Sequence, residues 1–401
     1  MDEPARFTWL VPGLGLLACL GPFSNDVYVP SLSIIAGGLG IDSGSVQLTM
    51  TALLMGFSLG SVLFGPLSDR YGRKPVLCLG LAIYALAGLL AALSSGLGPL
   101  IAARVLQGFA GSSTMVLTRA IILDRWSGEQ ASRMLSWTAI FIFTAPVLAP
   151  LLGGFIASFN YWPAVLWVQS GVGLLALLLT IAFLPRVRTH RGTGILAGIR
   201  TYGLVLKNPG AIGYMMCTGL GFVGVITFVS TSSVVFVDYF GLTPGIQGIS
   251  FSIVMFGAAI GSFTNGRLVV VRGISGMIGF GTVCLAVGGL LSLFVCIIDA
   301  GVVALVAATT VYAFGIGFVF ANTVAKTMSH FRENAGAVSA LFAINQFLVG
   351  AIATAGLSTI STPSLLPLGI SLAVAGVAAL ILWWGWLRNF DFIRYASDTA
   401  V

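Results

Sequence analysis

Asp26 is the residue of this chain best placed to do chemistry. It lies in Phe23-Ser-Asn-Asp-Val-Tyr-Val-Pro30, well inside an apolar run of about residues 9–36. A carboxylate in a membrane interior costs about 2.5–3.5 kcal/mol on insertion scales, and removal from water favours its neutral, protonated form. Such a group can take a proton from one side of a membrane and release it to the other. The alternative is a carboxylate permanently paired with Arg104 or with a backbone end. Arg104 opens the run Arg104-Val-Leu-Gln107-Gly108. It cannot shed its charge, so inside a membrane it must face an acid, a carbonyl or water. Close to Asp26 it would tune that residue's hold on a proton; otherwise it clamps helices together. Pro30 removes a backbone donor and should loosen the helix near Asp26. The candidate substrate contacts are Asn25, Asp26, Tyr28, Met50 and Arg104, with Phe222, Asn345 and Gln346 from a more apolar second half.

A second constellation is Gly65-Pro-Leu-Ser-Asp-Arg-Tyr-Gly-Arg-Lys74, expected to be a tight basic loop between two long apolar segments. Asp69 could cap a helix start and pair with arginines. An ion-pair network of Asp69, Arg70, Arg73, Arg119 and Asp124 would hold one face of a membrane protein shut and break when it opens. The plainer reading is topogenic charge, which would suffice for Arg73 and Lys74. Ala145-Pro-Val-Leu-Ala-Pro150-Leu-Leu-Gly153-Gly154 places Pro146, Pro150, Gly153 and Gly154 in one segment. Two prolines and a glycine pair bend and thin a helix, which suits a pivot at a cavity wall.

The elements that must position these residues follow from composition. The chain is 57% hydrophobic and 8% charged, where a soluble domain carries about 25% charged residues, and its mean hydropathy is +1.03. Lipid must be its main solvent. Twelve apolar runs could each cross a bilayer: about 9–36, 46–65, 76–95, 98–122, 134–158, 164–184, 211–237, 245–265, 275–298, 301–325, 335–360 and 365–387. With both ends cytoplasmic, every Lys and Arg except Arg104 and Arg119 falls in a cytoplasmic tail or connection, as the positive-inside rule requires. The formal charge of +7 is therefore a topology signal and not one for nucleic acid. The five cysteines fall in apolar runs without a Cys-x-x-Cys pair, and His190 and His330 sit in loops, so neither a disulfide, a metal nor a cofactor is expected. There is no nucleotide-binding glycine loop, no Ser–His pair and no His-Glu motif, which argues against an enzyme and for an ion gradient as the energy source. One proton moving down 100 mV supplies about 2.3 kcal/mol, roughly a fiftyfold gradient of a neutral solute.

Residues 185–210, rich in Arg, Gly and Thr, read as a cytoplasmic linker between six spans in 1–184 and six in 211–401. Sliding the chain by half its length aligns Gly56 with Gly257, Gly60 with Gly261, Gly65 with Gly266 and Gly72 with Gly273. Matching glycines at the same ordinal span of each half point to a parallel repeat of six helices. Their Gly-x-x-x-Gly spacing lets neighbouring helices approach closely. The copies differ in charge: Asp69, Arg70 and Arg73 meet Val270, Val271 and Ile274, Asp26 meets Thr227, and Arg104 meets Leu305.

At this point the sequence resembles the major facilitator superfamily, whose signature between spans two and three matches residues 65–74 without a gap. Asn25-Asp26-Val-Tyr28-Val-Pro30, Arg104-x-x-Gln107-Gly108 and Pro150-x-x-Gly153-Gly154 resemble its twelve-helix drug:proton antiporters, in particular the bicyclomycin and chloramphenicol or florfenicol resistance subfamily. The resemblance implies an all-α membrane protein of two pseudo-symmetric six-helix bundles rocking about a central cavity. It also implies proton exchange at Asp26 assisted by Arg104, a gate at 65–74, and export of a small amphipathic drug from a bacterial cytoplasm across the inner membrane by a monomer in contact with lipid. Two departures stand out. The stretch around Ala18, where some relatives carry a second acid, is apolar, and Ala145 and Ala149 replace glycines of the exporter pattern. Export of a metabolite, sugar or siderophore is the alternative, and would ask for more polar lining.

Overall fold

The computed structural model describes residues 3–125, 128–184, 202–331, 335–357 and 364–390, and among them there is no strand. The helices are α1 (Glu3–Asp26), α2 (Leu32–Leu39), α3 (Ser43–Tyr71), α4 (Arg73–Ala92), α5 (Leu97–Arg125), α6 (Gly128–Ala157), α7 (Pro163–Phe183), α8 (Pro209–Ser233), α9 (Pro244–Ile298), α10 (Val302–His330), α11 (Ala335–Leu357) and α12 (Leu366–Gly385). Nine stretches among the described residues are long and apolar enough to cross a membrane, and Thr144–Ala157 and Ala340–Gly356 are shorter apolar helices. The linker at 185–210 lies largely outside the described residues.

Three elements differ from the expectation, each for a local reason. The first span is not one helix. It ends at Asp26, passes through a short 3-10 turn at Val29–Ser31 and resumes as α2, because Pro30 has no N–H to continue the ladder. Residues 65–74 are not a loop. The helix of span two runs on to Tyr71, Pro66 included, and only Gly72 is non-helical, at φ 96°. That left-handed region is open to glycine and strained for other residues. Asp69 therefore lies inside α3 rather than at a helix start, and the residue ahead of α4 is Gly72. Spans eight and nine form a continuous helical stretch kinked at Gly273, φ 72°, the counterpart of Gly72 in the repeat. At the other end of α3, Asp42 caps the helix by accepting from Ser45 N at 2.8 Å.

Backbone contacts group residues 1–197, 229–252 and 350–363 into one unit, and 198–228, 253–349 and 364–401 into another. Within the first, α3 and α5 cross so closely that a Cβ at Gly56 would overlap the Val105 carbonyl, one at Gly60 the Phe109 carbonyl, and one at Gly108 the Leu53 carbonyl. This is why Gly108 ends the Arg104-x-x-Gln107-Gly108 run. Within the second, Gly257 meets Thr310 and Gly261 meets the Phe314 carbonyl on α10. The same helix pair makes the same contact half a chain later, as a parallel repeat requires. A core of Leu14, Leu77, Leu81, Tyr84, Leu117 and Ile121 fills the space between α1, α4 and α5.

Candidate functional site

Asp26 occupies the last residue of α1, and its surroundings follow from the break behind it. The chain turns through Val27 and Tyr28, and Gly153 of α6 packs into the bend, where a Cβ would overlap the Val27 carbonyl and press on Pro30 Cδ. The predicted pivot thus touches the predicted proton site. Pro150 and Gly154 extend the contact: a Cβ at Gly154 would lie 2.7 Å from the Pro244 carbonyl, and one at Gly248 would overlap the Pro150 carbonyl. Ser252 Oγ donates to the Val147 carbonyl at 2.7 Å. Pro146 is half-buried in the same helix.

Asp26 is 6% exposed. Among the described residues its carboxylate accepts one side-chain bond, from Asn25 Nδ2 at 3.0 Å, and Asn25 Oδ1 is buried without a partner. Arg104 is completely buried and forms no ion pair with Asp26; among the described residues its Nη1 donates to Gln107 Oε1 at 2.8 Å and Gln169 Oε1 at 3.0 Å. Its Cζ stands 4.0 Å from the centroid of the Tyr28 ring, a cation–π contact that gains strength away from water. The Tyr28 hydroxyl is held by Thr49 at 3.0 Å, next to the buried Met50. Among the described residues Nε and Nη2 of Arg104 have no partner. The result is a guanidinium in a cradle of two amides and a ring, and that ring, Tyr28, lies two residues along the chain from Asp26.

Gln169, Tyr84 and Ser24 complete this assembly, and none was singled out from the sequence. Gln169 Oε1 also accepts from Gln107 Nε2 at 3.0 Å, its Nε2 donates to the Ser24 carbonyl at 3.0 Å, and the Ser24 hydroxyl bonds the Tyr84 hydroxyl. A signal existed: an amide in the apolar α7 must find a partner, since an unpaired polar group in hydrocarbon costs several kcal/mol.

The charged constellation divides. Arg73 Nε donates to Asp124 Oδ2 at 2.7 Å and Nη1 to Ser68 Oγ at 2.6 Å, so α3, α4 and α5 are tied at one end. Lys74 Nζ donates to the Ile181 and Leu184 carbonyls at 2.8 and 2.6 Å. It caps the C-terminus of α7, where a cation meets the negative end of the helix dipole. Neither residue is topogenic charge alone. Arg70 is exposed and lies over the Tyr71 ring at 5.2 Å. Arg119 is half-buried further along α5. The Asp69 side chain lies outside the described residues.

The second-half candidates belong to the other unit. Phe222 meets Phe320 edge-on at 5.4 Å. Asn345 Nδ2 donates to the Met215 carbonyl at 2.9 Å and fills the space beside Gly219. Gln346 is half-buried.

The sequence profile of the Major Facilitator Superfamily matches residues 14–354. The chain is 31% identical over 359 residues to the chloramphenicol resistance protein of Pseudomonas aeruginosa, covering 86% of this chain and 82% of that one. It is 28% identical over 378 residues to the bicyclomycin resistance protein homolog of Haemophilus influenzae, covering 92% and 94%. Multidrug resistance protein D of Escherichia coli is 27% identical over 388 residues, covering 92% and 93%. The fold matches the xylose transporter of Escherichia coli at a TM-score of 0.77 and 15% identity, over 95% of this chain and 98% of that one. It matches a bacterial homolog of the lysosomal transporter Spinster at 0.76 and 14%, over 97% and 98%. An integral membrane transporter of small molecules, and not an enzyme, is what these matches establish: the chain belongs to the Major Facilitator Superfamily.

Proposed function

We propose that this protein exports small amphipathic drugs, phenicol-type antibiotics among them, in exchange for protons, by alternating access between the six-helix halves 1–184 and 211–401. The observation that carries the reading is Asp26: a carboxyl at a break in a membrane helix, buried, and among the described residues bonded to a neighbouring amide and not to Arg104. A residue in a fixed ion pair resists changes of protonation; one held only by an amide can exchange its proton as the helix break opens to one side or the other. Relatives named for chloramphenicol, bicyclomycin and multidrug resistance supply the drug class. Asn25, Asp26, Tyr28, Met50 and Arg104 of the first half and Phe222, Asn345 and Gln346 of the second are the proposed drug contacts. Asp69, Arg70, Arg73, Arg119 and Asp124 form the cytoplasmic gate. The protein works in the bacterial inner membrane as a monomer with both ends in the cytoplasm.

The test is a susceptibility panel in an efflux-deficient bacterium, with Asp26→Asn alongside at matched protein levels. Expression should raise resistance to chloramphenicol or florfenicol, and Asp26→Asn should remove it. Full resistance with Asp26→Asn defeats the proton reading, and a panel without any protected drug defeats the substrate class.

A further inference from the structure

Gln169 joins the two features that set the surroundings of Asp26. Its side chain is completely buried and both ends of its amide are engaged, Oε1 with Arg104 Nη1 and Gln107 Nε2, Nε2 with the Ser24 carbonyl. That carbonyl belongs to the last turn of α1, where a helix runs out of internal donors. Ser24 lies two residues before Asp26. Tyr28, whose ring carries the Arg104 guanidinium, lies two residues after it. Arg104 has two donors, Nε and Nη2, still open to a stronger acceptor.

We infer that Gln169 is a positioning residue for proton exchange at Asp26: it holds Arg104 back from pairing with the carboxyl and pins the end of the helix that carries it. The inference rests on the reading of Asp26 as the proton-exchanging group. The charged and titratable groups around the assembly are Asp26 and Tyr28, Tyr84 from α4 and Arg104 from α5. From α3 and α7 come the Thr49 hydroxyl and the Gln169 amide. The charged residues of α6, Glu129 and Arg133, lie in its first two turns. Among the described residues no carboxylate bonds the guanidinium while the amide is in place. Asp26 is the acid flanked by the two residues this assembly holds, Ser24 through Gln169 and Tyr28 through Arg104.

The experiment uses the full-length protein in liposomes with chloramphenicol as the probe, and reads drug binding and the pH profile of drug–proton exchange. Gln169→Met keeps side-chain length and removes both polar ends. The midpoint of its exchange profile should move about one pH unit toward acid, a tenfold change in proton affinity, because the released guanidinium stabilises the carboxylate; drug binding, read alongside, shows that the variant is folded. Gln169→Glu gives Arg104 an anion in place of a dipole and should move the midpoint toward alkali. A profile for Gln169→Met that superimposes on the unmodified one, or a uniform loss of rate with the midpoint unmoved, assigns Gln169 to packing and overturns the inference. If Gln169→Met does not fold, an unmoved midpoint in Gln169→Glu overturns it and an alkaline shift supports it. Unmodified protein without pH-dependent exchange overturns the reading of Asp26 and this inference together; pH-dependent exchange with unmoved variants overturns the inference alone.

Discussion

Arg104 keeps its charge in the membrane interior without a carboxylate partner, held by two amide oxygens and the face of Tyr28. Those contacts need a planar guanidinium that can stack and donate in its plane at once, which a lysine cannot do. Arg104→Lys should therefore lower the export rate by about tenfold or more even though charge is conserved. A lysine variant with unmodified export in inverted vesicles would show that only the charge matters there. Both Asp26 and Arg104 were legible in the sequence because an ionisable residue in an apolar run has few bland explanations. What was not legible is that Arg104 meets Gln107, Gln169 and the Tyr28 ring, Gln169 being a neutral residue from a helix far along the chain. Sequence spacing gives no hint of which helix will supply an amide to a buried cation.

Elements in this fold are set by where backbones come close. The α3–α5 crossing tolerates no side chain at Gly56, Gly60 or Gly108, since each Cβ would overlap backbone atoms of the opposite helix. Gly108→Ala should destabilise the protein by about 1–3 kcal/mol, the usual cost of overpacking, and lower its thermal unfolding midpoint. Gly37→Ala, where nothing lies within 4 Å, should leave the midpoint unchanged or raise it slightly, as helical Gly-to-Ala changes do. Equal effects at both positions would refute the crossing. Between α4 and α7, Lys74→Ala removes the donor to the Ile181 and Leu184 carbonyls and should speed amide exchange at the end of α7 without changing the rest of it. The spans and the close glycine contacts could be read from hydropathy and spacing. The helical state of Pro66–Tyr71 could not, because a proline, an acid and two basic residues in sequence look like a turn. Only the single positive φ at Gly72 was needed to reverse the chain.

Over the whole molecule, two copies of one helical plan have diverged in charge. The glycine contact recurs at Gly257 and Gly261, and the kink recurs at Gly273, but Asp26, Arg104 and the Arg73–Asp124 pair have no charged equivalents in the second copy. A gate that belongs to one half should be sensitive in that half only. Asp69→Ala should impair transport, whereas neutralising Arg267 or Arg272 singly should have less effect; equal losses in a transport assay would contradict the asymmetry. The topology has its own check. In a cysteine-free background, Gly40→Cys and Asp299→Cys should react with an impermeant maleimide in intact cells, and Lys207→Cys only after permeabilisation. If Asp26 carries the proton that drug displaces, adding chloramphenicol to the purified protein in weakly buffered solution should release protons. The release should saturate with drug in the unmodified protein and vanish in Asp26→Asn while drug binding persists. A release of equal size from Asp26→Asn, or none from the unmodified protein at saturating drug, would contradict that role for Asp26.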